Sequence, residues 1–221
     1  MTKRVVVIGG GGFGREIVRY LMDDIKSGHL PDVCVAGIVD PDPNCQAIKF
    51  LPKCSYLGPK NRLDNSEQFQ FVIAIGDPYA RRRIAFELDG LGMFTYVHRT
   101  ALVASDAVIG DGTFVGPGSV INSGVTIGKC CSVNVLCSVG HGSIVGDYSV
   151  LSPYAALSGD SEIGKSCFLG TRATVFPRVT IGDDCIVDSH SFVKGNIGNR
   201  KIVSARGRYD VLENRLGRIS E

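Results

Sequence analysis

The sequence predicts two folded domains, an α/β domain over residues 1–100 and an all-β parallel β-helix over residues 101–196, followed by a capping tail over residues 197–221. Two observations indicate this division. The middle stretch divides into sixteen consecutive six-residue units with no residue left over, whereas the first hundred residues alternate buried-strand and helix patterns. A chain of 221 residues, of which 44% are apolar and 21% charged, is long enough to bury both cores.

The six-residue units share a strict pattern. Their third residue is Val, Ile or Leu in all sixteen, and their first residue is always small. A helix needs apolar residues three and four apart and an ordinary strand needs simple alternation, so this period excludes both over so long a run. We expect each unit to form one short strand and a corner, with Gly or Asn in fourth place adopting the left-handed backbone conformation. Three units then close one triangular coil, giving roughly five coils stacked about 4.8 Å apart.

The eight cysteines include no Cys-x-x-Cys pair, and those in the repeats follow the period of six. Four of them occupy first places, where a small inward residue is needed: Cys131, Cys137, Cys167 and Cys185. Cys167 and Cys185 lie one coil apart, within reach of a disulfide, but a reducing compartment argues against one. We interpret these cysteines as structural thiols.

Composition excludes several classes of protein. The net charge of +2 gives no reason to expect nucleic acid, and no apolar run is long enough to span a membrane. The N-terminus has no signal-peptide pattern, so we expect a cytoplasmic protein. The four histidines cannot converge on a three-ligand zinc site from their positions, and we expect no metal.

A glycine-rich segment follows the first predicted strand, at about residues 4–8. Gly9, Gly11 and Gly14 have the G-x-G-x-x-G spacing and precede a predicted helix that runs to about Asp24. In this setting, backbone N–H groups at the start of the helix can approach a phosphate, whose negative charge the helix dipole favours. The alternative is a tight turn that only allows the helix to pack on the strand.

Three further strands are predicted over residues 33–39, 71–75 and 94–97, and a further helix over residues 79–88. The carboxylate of Asp40 faces the crevice at the carboxyl end of the sheet, where it can accept hydrogen bonds from a ribose or base, although Asp also commonly begins turns. Four strands make half of a Rossmann fold, too short for a complete dinucleotide fold. This size favours a nucleotide or nucleotide sugar over a nicotinamide cofactor.

The repeat run resembles the hexapeptide-repeat acyltransferases, whose units wind into a left-handed parallel β-helix. Over nearly all of residues 3–196, the chain is similar to the bacterial sugar-nucleotide N-acetyltransferases related to the sialic acid O-acetyltransferase type. The resemblance is carried by the strand end Val39-Asp40 and by the segments GGGGFGRE, FVIAIGDPYARRRI, TYVHRTALVASDAVIG and NVLCSVGHGSIVGDYSVLS. It implies acetyl-CoA-dependent acetylation of the 4-amino group of a 4-amino-4,6-dideoxy sugar linked to UDP or GDP, in a homotrimer with active sites between neighbouring prisms.

His141 is the candidate general base, since imidazole can take a proton from an amine near neutral pH. It occupies a fifth place, which points out of the prism, and Gly159 one coil further on leaves space beside it for a pantetheine arm. The spacing alone also fits an ordinary corner residue, but the resemblance places His141 on the general base of the family. We expect the amine to attack the thioester directly, because no nucleophilic Ser or Cys can be argued from the sequence.

The chain departs from the family at three positions. Family members of this type often have a carboxylate directly after the catalytic His, where this chain has Gly142. Either a partner comes from Asp147, Asp160 or a neighbouring subunit, or the base acts without one. Val150 replaces a second His that contacts coenzyme A in some relatives. Phe13 replaces a His of the glycine turn, which leaves backbone donors to hold the pyrophosphate.

The remaining assignments combine the glycine turn, the strand ends and the resemblance. We assign substrate binding to Gly11, Gly12, Phe13, Gly14, Asp40, Gly76 and Asn134, and coenzyme A binding to Gly159, Thr171 and Arg172. Asn134 is also a fourth-place turn residue, and Arg172 also fits a solvated position. Two alternatives stay open, a sugar O-acetyltransferase of the same build and a non-catalytic β-helix protein that binds a nucleotide sugar.

Two basic segments have more than one interpretation. The run Arg81–Arg83 lies in a predicted helix, and we interpret it as a solvated face rather than a phosphate clamp. The tail has six basic residues that either bind the 3′-phosphate of coenzyme A or belong to a polar cap on the last coil. They are Arg200, Lys201, Arg206, Arg208, Arg215 and Arg218.

Overall fold

The computed structural model describes residues 2–51, 53–59 and 66–205. These residues form an α/β unit followed by a parallel β-helix, as the sequence predicts. Of the basic tail residues, Arg200 and Lys201 are exposed. The other four lie outside the described residues: Arg206, Arg208, Arg215 and Arg218.

The α/β unit is a parallel sheet with helices on both faces. Its strands are β1 Lys3–Ile8, β2 Val33–Val39, β3 Gln70–Ile73 and β4 Gly92–Met93. Its helices are α1 Gly12–Lys26, α2 Gln46–Phe50 and α3 Pro78–Glu87, with a 3-10 turn at Ser66–Gln68. The strand order is β2-β1-β3-β4. The two central strands are rich in Val, Ile and Phe because α1 covers one face of the sheet and α3 the other.

Helix α3 begins with clear sequence signals. The Asp77 carboxylate accepts a hydrogen bond from a backbone N–H three residues further on, at 2.6 Å, and Pro78 lies in the first turn. The prediction of a solvated arginine face is wrong for Arg81, which is fully buried, whereas Arg82 and Arg83 are exposed. Arg81 shares the buried side of α3 with Pro78, where the helix meets the β-helix.

The boundary between the two units differs from the prediction. Residues 94–97 are not the last strand of the α/β sheet, because β4 takes that place and pairs with β3. Strand β5, Tyr96–Val97, is instead the first strand of the β-helix. It obeys the period of six, with Val97 in third place, so the β-helix begins one unit before residue 101. At the other end, strand β22, Ile202–Val203, extends the β-helix past residue 196.

The β-helix has three parallel faces, which we name by their number of strands. The seven-stranded face contains β5, β8 Phe114–Val115, β11 Ser132–Val133, β14 Val150–Leu151, β17 Phe168–Leu169, β20 Ile186–Val187 and β22. The six-stranded face contains β6 Leu102–Val103, β9 Val120–Ile121, β12 Ser138–Val139, β15 Ala156–Leu157, β18 Thr174–Val175 and β21 Phe192–Val193. The five-stranded face contains β7 Val108–Ile109, β10 Thr126–Ile127, β13 Ile144–Val145, β16 Glu162–Ile163 and β19 Thr180–Ile181.

The interior of the β-helix is built from third-place and first-place residues. The third-place residues from Val115 onward are all buried in one apolar ladder. First-place hydroxyl and thiol groups donate to a carbonyl of the next coil, as in Thr113 to Gly128 at 2.7 Å and Cys167 to Gly182 at 3.1 Å. The described cysteines are all free, and burial raises the pKa of the Cys167 thiol to about 12. These thiols therefore act as small hydrogen-bonding core groups.

The corners use glycine differently from the prediction. The left-handed conformation belongs to the sixth place, where fourteen consecutive units, from Gly112 to His190, have positive φ. Fourth-place glycine is required for a different reason, the close approach of the next coil. A Cβ on Gly140 would lie 2.6 Å from the backbone nitrogen of Gly159 in that coil. The close stacking of coils, rather than the backbone angle, therefore selects glycine in fourth place.

Aromatic side chains join the two units. Phe114 of β8 is fully buried, and the rings of Phe13 and Tyr20 from α1 lie 5.5 and 6.5 Å from it between centroids. Tyr96 of β5 packs against the same ring at 5.8 Å. The start of α1, and the glycine turn before it, therefore sit against the seven-stranded face.

Candidate functional site

The glycine turn between β1 and α1 has the geometry of an anion site. Gly9 has a φ of 103°, and a Cβ on Gly14 would collide with the carbonyl oxygen of Gly9, so both positions need glycine. Gly11 directly precedes α1, and open space surrounds the place where its Cβ would lie. Backbone N–H groups at the start of α1 therefore face a space that a phosphate can enter.

Gly12 and Phe13 form the first turn of α1. The half-buried ring of Phe13 packs edge-on against Phe114, so the ring belongs to the junction between the units. The group of Phe13 that can donate a hydrogen bond to a substrate is therefore its backbone N–H. A Cβ on Gly12 would meet only Gln46 Oε1, at 3.5 Å.

Asp40 follows β2 and lies against the glycine turn. Its Oδ2 accepts a hydrogen bond from the Gly10 N–H at 2.6 Å, and its Oδ1 accepts one from the Asp42 N–H at 2.9 Å. Sequence reasoning missed Cys45, which no motif marks and whose Sγ fills the space beneath Gly10. Gly76 is exposed after β3, with open space where a Cβ would lie. The glycine turn, Asp40 and Gly76 thus share the carboxyl edge of the sheet.

His141 lies two residues after the end of β12, at the corner between the six-stranded and five-stranded faces. Its side chain is 71% exposed. The imidazole lies over Gly159 of the next coil, where a Cβ would collide with the ring atoms Cε1 and Nε2. Glycine at 159 therefore gives room to the imidazole itself rather than to a ligand beside it.

Of the candidate carboxylate partners within the chain, Asp160 is the one that lies beside His141. Its Oδ1 is 3.7 Å from the Nδ1 of the imidazole. Asp147 lies at a different corner, between the five-stranded and seven-stranded faces. There it accepts a hydrogen bond from the Lys129 N–H at 3.0 Å and forms an ion pair with Lys165 at 3.2 Å.

Asn134, Thr171 and Arg172 lie at the third corner, between the seven-stranded and six-stranded faces. The side-chain N–H of Asn134 donates to a carbonyl of the next coil at 2.9 Å, as that of Asn122 also does, so this amide joins coils. The Arg172 guanidinium lies 5.0 Å from the centroid of the Tyr154 ring. Within one chain these residues and His141 are therefore on different corners of the prism.

The four histidines lie on separate elements, and His98 is the one that is buried. Within residues 2–51, 53–59 and 66–205, no group of His, Cys, Asp or Glu side chains could hold a metal ion. In the same part of the chain, no helix has the length and apolar character needed to cross a membrane.

The two units match known families separately. Residues 4–88 match the family described as the PglD N-terminal domain. Residues 106–134 match the bacterial transferase hexapeptide repeat, and residues 162–193 match the hexapeptide repeat of succinyl-transferase. Among solved structures, PerB from Caulobacter crescentus, in complex with CoA and GDP-perosamine, is 28% identical with a TM-score of 0.79, over 91% of this chain and 94% of that chain. Together these matches support a PglD-type hexapeptide-repeat N-acetyltransferase.

A second solved structure that is similar to this chain is the acetyltransferase domain of PglB from Neisseria gonorrhoeae. It is 26% identical with a TM-score of 0.78, over 91% of this chain and 96% of that chain. The same domain in complex with acetyl coenzyme A is 25% identical with a TM-score of 0.77, over 91% and 96% of the two chains. No curated protein sequence matches this chain.

Proposed function

We propose that this chain is a cytoplasmic, acetyl-CoA-dependent enzyme that acetylates the 4-amino group of a nucleotide-linked 4-amino-4,6-dideoxy sugar, with UDP or GDP as the nucleotide. The observation that carries the proposal is the exposed imidazole of His141 on a corner of the β-helix. The relatives support the two substrates, because one was solved with CoA and GDP-perosamine and the other with acetyl coenzyme A. The proposed reaction uses no metal ion.

His141 acts as the general base. The amine nitrogen attacks the carbonyl carbon of the thioester, and the carbon–sulfur bond breaks as the tetrahedral intermediate collapses to the amide. The imidazole accepts the proton that the amine nitrogen loses and delivers it to the departing thiolate of coenzyme A. Each cycle therefore returns His141 to its neutral form.

The thiols of the β-helix do not favour an acyl-enzyme route. Cys131, Cys137 and Cys167 are buried inside the prism, and burial raises the pKa of each thiol to about 12. Such thiols are protonated near neutral pH and cannot be reached by a thioester. This supports direct attack of the amine on acetyl-CoA.

The nucleotide end of the sugar substrate binds along the carboxyl edge of the α/β sheet. The backbone N–H groups of Gly11–Gly14 meet the pyrophosphate, and the helix dipole of α1 favours its charge. Asp40 holds the turn in place through Gly10, and its remaining lone pairs can accept a hydroxyl of the ribose. The open space at Gly76 leaves room for the nucleoside.

The positions of these groups support a site between subunits. The glycine turn packs on the seven-stranded face, whereas His141 lies at the corner opposite that face. A nucleotide sugar held at the glycine turn therefore delivers its amine to His141 of a neighbouring copy. Coenzyme A has to bridge two corners in the same way, because its thioester must reach His141 while Thr171 and Arg172 lie at another corner. A homotrimer meets both requirements with equivalent interfaces.

The test is thiol release from acetyl-CoA with UDP-, GDP- and dTDP-linked 4-amino sugars. We expect turnover with one of these acceptors, and a loss of at least about a hundredfold in His141→Ala. The matched control is His29→Ala, because His29 is an exposed histidine in the loop after α1, and this variant should keep native activity.

Each other outcome would lead to a different conclusion. Turnover that survives His141→Ala would exclude this residue as the base and indicate an amine that arrives already deprotonated. Thiol release with hydroxyl acceptors alone would indicate the sugar O-acetyltransferase. Binding of a nucleotide sugar without thiol release would indicate the non-catalytic protein.

A further inference from the structure

Asp160 and His141 are held together by the main chain. Asp160 occupies the sixth place one coil after Gly142, in the same corner column. Its φ is 58°, and its N–H donates to the carbonyl oxygen of His141 at 2.8 Å. From this position the side chain reaches back towards the preceding coil, and its Oδ1 lies 3.7 Å from the Nδ1 of His141.

Two glycines make room for this arrangement. A Cβ on Gly142 would collide with Oδ1 of Asp160, so the carboxylate fills the space that any side chain at 142 needs. Gly159 likewise leaves space for the imidazole, because a Cβ there would collide with the ring of His141. The absence of both side chains allows the imidazole and the carboxylate to lie next to each other on the outside of the prism.

A second aspartate in the same column behaves differently. Asp106 accepts hydrogen bonds from the Ser123 hydroxyl at 2.6 Å and from the Gly124 N–H at 3.0 Å, in the coil that follows it. The hydrogen bond from Ser123 lowers the pKa of Asp106. The carboxylate of Asp160 has no hydrogen bond among the described residues, and its ion-pair partner there is His141. The two aspartates at this corner of the prism therefore have different partners.

We propose that Asp160 is the positioning residue of His141. Its carboxylate accepts the Nδ1–H of the imidazole, which leaves Nε2 as the basic nitrogen that faces the sugar amine, and it stabilises the imidazolium that forms during transfer. A small rotation of either side chain brings the 3.7 Å separation into hydrogen-bond range. An exposed pair of this kind contributes little in water, but cover from a neighbouring copy strengthens it. The inference rests on the proposed role of His141.

The experiment compares Asp160→Asn with Asp106→Asn in the acetyl-CoA and amino-sugar assay, over a range of pH. We expect Asp160→Asn to lower kcat about tenfold to a hundredfold, with both KM values within about twofold of native. Its pH profile should also differ from the native one, which a purely structural role would not cause. Asp160→Glu should restore part of kcat, and Asp106→Asn should leave kcat and the pH profile unchanged.

A double-variant cycle separates positioning from a structural role. Gly142→Ala displaces the carboxylate of Asp160, so we expect it to lower kcat, and the double variant with Asp160→Asn to be no slower than its slower parent. Additive losses would contradict the inference. If His141→Ala is inactive while Asp160→Asn has native kcat and a native pH profile, the proposed function stands and Asp160 has no positioning role. If His141→Ala is fully active, both proposals fail.

Discussion

The junction between the α/β unit and the β-helix buries one charged side chain on each side of the sheet, and the two are satisfied differently. On the α3 side, Arg81 is fully buried, and all five of its guanidinium N–H groups donate to backbone carbonyls. The acceptors are Ile73, Ile75, Cys130 and Cys131, at 2.7–3.0 Å. Burial lowers the pKa of Arg81 to about 10, so the guanidinium stays charged near neutral pH.

On the α1 side, the fully buried residue is Asp24, and its partners are mainly side chains. Its Oδ2 accepts hydrogen bonds from the Tyr96 hydroxyl at 3.0 Å and from the Arg99 N–H at 3.3 Å. Its Oδ1 lies 3.4 Å from Arg99 Nε and 4.0 Å from His98 Nε2, and has no hydrogen bond among the described residues. Burial raises the pKa of Tyr96, which keeps its hydroxyl a donor.

This difference assigns separate tasks to the two sides. Arg81 joins main-chain carbonyls of both units through a rigid planar group whose charge does not change between pH 5 and pH 8. The cluster around Asp24 includes a histidine, whose charge can change within that range. We therefore expect Arg81 to set the strength of the junction and the Asp24 cluster to make that strength depend on pH.

The largest effect should come from Arg81→Met. This variant keeps much of the side-chain volume but leaves several buried carbonyl oxygens without donors, so we expect a loss of about 3–5 kcal/mol in the free energy of unfolding. Urea unfolding followed by circular dichroism measures it. The free energy of unfolding of Arg81→Lys should fall between those of the native protein and Arg81→Met, because the ammonium retains the charge but has only three donors.

The matched control is Arg83→Met on the same helix. Arg83 is exposed, so its replacement should change the free energy of unfolding by no more than about 0.5 kcal/mol. Equal effects of the two variants would show that the carbonyl contacts of Arg81 do not hold the units together.

Arg81 also marks a limit of prediction from sequence. The partners of its guanidinium are main-chain carbonyls, some of them 49 and 50 residues further along the chain. Every residue has a main-chain carbonyl, so the sequence does not indicate which of them bind Arg81. Asp24 is different, because it is a single carboxylate on the apolar face of α1, beside Ile17 and Leu21. Such a pattern in a sequence indicates a buried carboxylate with a polar partner. The α/β strands were predictable for a simpler reason, since their Val and Ile runs are needed only for burial.

In the β-helix, the period predicted the fold and the corner of His141, but not the reason for each glycine. A glycine in fourth place and a glycine in sixth place look alike in the sequence, although close stacking selects Gly140 and backbone angle favours Gly142. The sequence left several candidates for the carboxylate partner of His141 for a related reason. The period places Asp160 on the same corner, but the direction of its side chain depends on the space left at Gly142.

A smaller loss is expected for Asp24→Asn, which tests the α1 side of the junction. The amide keeps the shape of the carboxylate and can still accept from the Tyr96 hydroxyl, but it loses the charge that faces Arg99. We expect a loss of about 1–3 kcal/mol in the free energy of unfolding, measured in the same urea assay. The control is Asp23→Asn, the exposed neighbouring aspartate, which should have almost no effect. A loss as large as that of Arg81→Met would remove the distinction between the two sides.

The smallest expected effect is the dependence of Tm on pH that His98 causes. This effect distinguishes the Asp24 side of the junction from the Arg81 side. Burial lowers the pKa of His98, although the Asp24 carboxylate acts in the opposite direction. Nδ1 accepts a hydrogen bond from the Thr100 N–H at 3.2 Å and lies 2.9 Å from the Thr100 hydroxyl, so both of its partners belong to Thr100. Arg99, His29 and Asp23 also act on this ring, and the rings of Tyr20 and Tyr96 pack against it.

A histidine whose pKa is lower in the folded state takes up its proton more easily when the chain unfolds. Its contribution to stability is therefore complete above about pH 6.5 and is lost as the pH falls through the folded pKa. We expect Tm to fall between pH 7.5 and pH 5.5 in the native protein, and to fall less in His98→Gln, which keeps a donor towards Asp24 without a titrating group. His190→Asn, at an exposed histidine of the β-helix, should retain the native slope. Parallel Tm curves for native protein and His98→Gln would mean that both sides of the junction are equally insensitive to pH, and that Asp24 holds the units together in the same way as Arg81.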